Sequence, residues 1–185
     1  MITIKDLHFG YEGQPAVFKG FNARIETGEH IYLKGSSGSG KTTFLRLITG
    51  LEKPSGGSIY NDASSISPVF QEDRLIEYMT AAENIRFGNR RDASGIIGDM
   101  HIEHLLDKKI PELSGGEKRR IAIARALAHG GDLLILDEPF NGIDEENITV
   151  CVDAIKKHAG ESTIIMATHH PEQAEKLNCR VLEIE

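Results

Sequence analysis

The string Gly35-Ser36-Ser37-Gly38-Ser39-Gly40-Lys41-Thr42 constrains this chain more than any other feature. It follows the short apolar run Ile31-Tyr32-Leu33 and precedes a stretch with helical signals from 41 to about 49, which Gly50 and later Pro54 stop. The spacing Gly-x-x-x-x-Gly-Lys-Thr is the full P-loop pattern, and it sits between a buried strand and a helix, where that pattern has a mechanism. Further on, the buried runs Leu133-Leu134-Ile135-Leu136 and Ile164-Ile165-Met166-Ala167 bracket a predicted helix from about 145 to 158. Strand, helix, strand, helix predicts an α/β fold whose mostly parallel sheet is covered on both faces.

The chemistry of the first string is phosphate binding. Gly35, Gly38 and Gly40 leave room for backbone N–H groups to converge on phosphate oxygens, with Ser36, Ser37 and Ser39 between them. The following helix start adds partial positive charge. Lys41 can reach the β- and γ-phosphates, the Thr42 hydroxyl can ligate Mg²⁺, and Thr43 completes the expected nucleotide-contacting set. A second site follows the run 133–136, where Asp137 and Glu138 stand side by side before Pro139. Adjacent carboxylates repel, so the pair needs a cation or a shared proton. Asp137 fits a Mg²⁺ ligand, and Glu138 a general base that polarises the attacking water. Thr168-His169 ends the third apolar run. If the three strands are parallel, Lys34-Gly35, Asp137-Glu138 and Thr168-His169 all fall at the carboxyl edge where open α/β sheets bind ligands.

Ser114-Gly115-Gly116-Glu117 has the capping-box pattern of a helix start, and an Ala-rich helix to about 128 is predicted after it. Lys118, Arg119 and Arg120 then crowd the first turn, where cations oppose the helix dipole. Nearby anions would account for them, or all three side chains are simply solvated.

The remaining segments are read from periodicity. Ile2, Ile4, Leu7 and Phe9 suggest a half-buried strand, with 21–25 as its partner. Residues 53–70 are rich in Gly, Ser and Pro and hold at most one short strand, around Ile59. A helical insert is expected over about 72–111, with one helix capped by Thr80 and Glu83 and a second through Ile102, Leu105 and Leu106. Residues 89–92 and Ser94-Gly95 read as loop. A last short helix near 172–177 leads to Val181-Leu182-Glu183-Ile184.

Composition narrows the function classes. The longest apolar runs are far too short to span a bilayer, and the N-terminus lacks the pattern of a signal peptide. Cys151 and Cys179 have no metal-ligand spacing around them, which suits a reducing compartment. A net charge of −7 weighs against a nucleic-acid partner.

Leu113-Ser114-Gly115-Gly116-Glu117, placed between a P-loop and Leu133-Leu134-Ile135-Leu136-Asp137-Glu138-Pro139, resembles the signature motif of the ABC ATPase family. The resemblance covers essentially the whole chain and looks like a compact importer-type nucleotide-binding domain. It implies a P-loop core, a small antiparallel β-subdomain and an inserted helical subdomain. It also implies ATP and Mg²⁺ as ligands, and two copies packed head to tail with each signature closing over ATP on the opposite P-loop. Ser114, Gly115 and Gly116 would then face the γ-phosphate across the interface. By the same resemblance Tyr11 stacks on adenine, and Gln71 contacts metal and water. Asp144 corresponds to the D-loop aspartate and His169 to the switch histidine. Asn141-Gly142 replaces the family's common Ser-Ala, and His170 stands where an acid is common.

The resemblance further implies transmembrane permease partners and a place on the cytoplasmic face of the cell membrane. Two competing readings are a soluble non-transport ABC ATPase acting on ribosomes or DNA, and a silent nucleotide-binding scaffold. The absence of a second cassette or long coiled coil weighs against the first. Intact Lys41, Thr42, Asp137, Glu138 and His169 weigh against the second.

Overall fold

The computed structural model describes residues 1–89 and 91–184. Among the described residues there are eight strands and six α-helices. Strands β1 (Ile2–Phe9), β2 (Phe18–Ile25) and β3 (His30–Lys34) come first, followed by α1 (Lys41–Ile48), β4 (Gly56–Asn61) and β5 (Ile66–Val69). Helices α2 (Ala81–Arg86), α3 (Ser94–Asp99) and α4 (Gly115–His129) come next. The chain ends with β6 (Leu133–Asp137), α5 (Glu145–His158), β7 (Thr163–Ala167), α6 (Pro171–Lys176) and β8 (Arg180–Glu183).

A five-stranded sheet in the order β5-β6-β7-β3-β8 is parallel throughout, and a separate antiparallel sheet has the order β2-β1-β4. The expected α/β class with a mostly parallel sheet and a small antiparallel one is therefore what the chain forms. Every residue of β6 and β7 is buried, as expected of central parallel strands covered on both sides. The period of two along a strand sends alternate residues to two different cores. Leu134, Leu136, Ile164 and Met166 pack with α4, α5 and the segment between β5 and α4. Leu133, Ile135, Ile165 and Ala167 pack with α1 and the antiparallel sheet, where Phe18, Phe21 and Phe44 meet at tilted to edge-on ring angles.

The helices are defined by their ends. Ser114 caps α4 reciprocally with Glu117, and Gly130 closes it in a left-handed turn. Asp144 caps α5, which has Glu145 and Glu146 in its first turn and Lys156, Lys157 and His158 in its last, complementing the helix dipole at both ends. Thr80 and Glu83 form the expected capping box at α2.

Three expectations are corrected. Residues 53–70 hold two strands, not one. The second, β5, lies on the sheet edge and pairs with β6 alone, a position that tolerates Pro68. Ser94-Gly95, read as loop, open α3, because the Asp92 carboxylate accepts from both the Ser94 amide and hydroxyl while Ile96 and Met100 enter the core. The helix expected through Ile102, Leu105 and Leu106 is only a 3-10 turn over Glu103–Leu105, cut off from α3 by left-handed His101. The loop expected over 89–92 includes Arg90, which lies outside the described residues.

Candidate functional site

The parallel register brings four strand ends to one edge. Lys34 leads to Gly35, Val69 to Phe70-Gln71, Asp137 to Glu138, and Ala167 to Thr168-His169. A cavity of about 630 Å³ opens there, and its walls include Lys41, Thr42, Gln71, Asp137, Glu138 and His169. Thr43, Ser37, Gly38 and Gly40 also line it.

The loop between β3 and α1 is tightly folded. Gly40 has φ 102°, and a Cβ there would stand 2.4 Å from a Val17 methyl, so a side chain is excluded by both conformation and space. Among the described residues no side chain caps α1, whose first-turn residues Lys41, Thr42 and Thr43 line the cavity. Lys41, largely buried, donates from Nζ to the carbonyls of Gly35 (2.8 Å) and Ser36 (3.0 Å). Ser39 Oγ is buried with no hydrogen-bond partner among the described residues. Tyr11 stands outside the cavity lining, its hydroxyl 3.4 Å from Thr43 Oγ1 and its ring edge-on to Phe9.

At the carboxylate pair, Asp137 is buried and its Oδ2 has no hydrogen-bond partner among the described residues. Burial pushes its carboxyl above the ordinary range. A hydrogen bond from the Thr42 side chain opposes this, Glu138 adds to it, and Arg119 and Lys41 oppose it. Glu138 has φ 48°, a left-handed conformation uncommon outside glycine. Its carboxylate Oε1 lies 3.5 Å from His169 Nε2, so the two expected catalytic groups meet. The hydroxyl of Thr168 donates to Gln173 Oε1 (2.9 Å) and accepts the His170 amide (3.1 Å), which fixes the turn carrying His169.

An oxygen donor set of one buried carboxylate and one hydroxyl, beside a phosphate-shaped loop, is the kind Mg²⁺ takes when substrate phosphates complete its shell. The unpartnered Asp137 Oδ2 next to Thr42 fits that ion.

Ser114, Gly115 and Gly116 do not join this cavity. With Asp144 they border a neighbouring one of about 320 Å³, which meets the first at Gly142 and Ile143. A Cβ on Gly116 would stand 2.7 Å from the Gly142 carbonyl oxygen, so the helix start is seated directly on the turn after β6. Asp144 accepts from the Asn147 amide and side chain, bonds that hold its carboxyl below the usual range.

Lys118, Arg119 and Arg120 are not three solvated cations. Arg119 and Arg120 are buried, and the Arg119 guanidinium donates to four oxygens from two loops. Sequence reasoning missed it as a site residue. The available signal was the cost of cations in a helix's first turn, which demands a compensating partner.

The sequence profile of the ABC transporter family matches residues 18–141. The ergothioneine transport ATP-binding protein EgtV of Helicobacter pylori is 38% identical, covering 100% of this chain and 97% of EgtV. The macrolide export ATP-binding/permease protein MacB of Campylobacter jejuni is 32% identical over 93% of this chain but only 31% of its own length. Among solved structures, a dimeric post-hydrolysis state of an ATP-binding cassette bound to ADP and Pi superposes with a TM-score of 0.86 at 29% identity, covering 100% of this chain and 94% of that one. The chain therefore belongs to the ABC transporter family, as an ATP-binding and ATP-hydrolysing cassette.

Proposed function

We propose that the chain is the energy-coupling subunit of a transporter, hydrolysing ATP between two copies of itself while bound to separate membrane-spanning chains. The observation that carries this reading is the split between the two cavities. Lys41, Asp137, Glu138, Gln71 and His169 share one, and the signature helix start opens into the other. A nucleotide seated in the first cavity would present its γ-phosphate outward, to be closed over by Ser114 and Gly116 of a second copy.

In this reading Gly35 to Thr43 cradle the phosphates, and Lys41 leaves its loop carbonyls for the β- and γ-oxygens. Tyr11 stacks on adenine, and Asp144 contributes at the dimer interface. Thr42, Asp137 and Gln71 would hold Mg²⁺, which when bound offsets negative charge on the phosphates. Glu138 accepts a proton from water as the water oxygen bonds to the γ-phosphorus and the bond to the β-phosphate oxygen breaks. His169, within reach of Glu138, would hold a γ-phosphate oxygen.

Among the described residues no helix is long and apolar enough to cross a membrane. In this reading the path across the bilayer belongs to partner chains, with this subunit on the cytoplasmic face and the part at 72–111 turned toward them. EgtV, which this chain covers almost end to end, carries a transport ATP-binding name. Purification from detergent-solubilised membranes, with identification of the bound chains, tests the proposal. Stoichiometric recovery of a membrane-spanning protein whose transport needs intact Glu138 is expected. Recovery only with ribosomes or DNA would replace the reading with the non-transport one.

A further inference from the structure

We propose that Arg119 is a positioning residue that fixes the backbone of Glu138 and joins it to the Gln71 segment; this rests on the role given to Glu138 above. The Arg119 side chain is 3% exposed and reaches out from α4. Its Nη2 donates to the carbonyls of Asp137 (3.1 Å) and Glu138 (2.6 Å), and its Nη1 to the carbonyl of Phe70 (2.5 Å) and to Asp73 Oδ1 (2.9 Å). One planar group thus grips the residue before Gln71 and both members of the carboxylate pair.

Glu138 needs such a grip. A residue with a Cβ stays left-handed only where its surroundings over-determine it. On one side the Glu138 amide donates to the Ala167 carbonyl of β7 at 2.8 Å. On the other, the Glu138 carbonyl accepts from Arg119. The same carbonyl also accepts the Asn141 amide at a longer 3.3 Å; together these bonds hold both ends of the residue, leaving its carboxylate facing His169. Lysine could not substitute, since a point ammonium cannot span two loops with a fixed fork. Arg125, on the same helix, donates to the carbonyls of Asp73 and Arg74 but not to Glu138. It anchors the same loop without touching the base, which makes it the natural control.

The test compares Arg119→Gln, Arg119→Lys and Arg125→Gln in the full chain, by steady-state ATPase kinetics and by amide hydrogen exchange without nucleotide. In Arg119→Gln, kcat is expected to fall roughly 10- to 100-fold, the scale of a slightly misplaced reacting group, while KM for ATP stays within about threefold. Arg119→Lys is expected to recover little of that loss, and Arg125→Gln to stay near wild type. Exchange should accelerate in 70–74 and 137–142 together, with the rest of α4 still protected. Unchanged kcat in Arg119→Gln, full recovery with lysine, or faster exchange spread through all of α4 would overturn the proposal. If the wild-type chain turned over no MgATP, the reading of Glu138 would fail by itself, and the exchange data would still decide whether Arg119 joins the two loops.

Discussion

The strand-end edge and the start of α4 are both glycine-rich anion-seeking elements, yet they end in opposite situations. At the edge, Lys41, Asp137, Glu138 and His169 converge from three strands into one cavity. The start of α4 carries a comparable glycine pair and a reciprocal cap, but its glycines face the Gly142 turn and the cavity beside Asp144. In the proposed reading the first region binds the nucleotide and the second closes over it from another copy. Binding and turnover should therefore be separable by mutation, the first depending on one chain and the second on two.

The largest effect should come from Glu138→Gln, which removes the proposed proton acceptor without changing shape. Turnover should fall about 10²- to 10⁴-fold while MgATP still binds, measured by phosphate release alongside equilibrium nucleotide binding. Near-normal turnover would remove Glu138 from the chemistry. Lys41→Ala should instead weaken ATP binding, by roughly 10- to 100-fold for loss of a charge-assisted bond. Unchanged affinity in a nucleotide titration would refute the phosphate role. Gly116→Ala sharpens the contrast, because its Cβ would press on the Gly142 carbonyl. ATP affinity should hold within about twofold while turnover drops around tenfold, as reacting groups are displaced across the interface. Equal loss of both would show that the two regions are one site within a single chain.

The smallest effect concerns stability. Burial raises the Asp137 carboxyl, so the folded protein holds that proton to a higher pH than the unfolded chain does. Without metal, stability therefore falls as pH rises from the ordinary carboxylate range through the raised value, and the cost persists above it. Asp137→Asn should abolish Mg²⁺-dependent turnover yet raise the Tm of the nucleotide-free protein at neutral pH by a few degrees, by relieving a buried charge. A clear drop in Tm would contradict this. In the wild type, the Tm gain given by Mg²⁺ with nucleotide should shrink on acidification toward the raised value.

These two regions also differ in how far the sequence revealed them. The edge was legible because β6 and β7 are unbroken apolar runs, each ending abruptly in polar residues. Parallel pairing then made convergence of those ends unavoidable. The caps at Thr80 and Ser114 were legible for a local reason, since their partners lie three residues away. Helix α3 was not, because Gly95 and Gly98 lower its intrinsic propensity and it is held by the Asp92 bonds to Ser94 and the burial of Ile96 and Met100. Arg119 was hidden more deeply. Its partners are mostly backbone carbonyls, 18 to 49 positions away, and backbone oxygens leave no trace in the residue pattern.

The central claim is tested most directly by the mass of the Glu138→Gln protein in solution with and without MgATP, set beside Glu138→Gln combined with Gly116→Arg. The account predicts a 20.4 kDa species that doubles in mass when MgATP is added, and a double variant that binds the same nucleotide but stays single. A protein that remains at 20.4 kDa with saturating MgATP, or a double variant that still pairs, would contradict it.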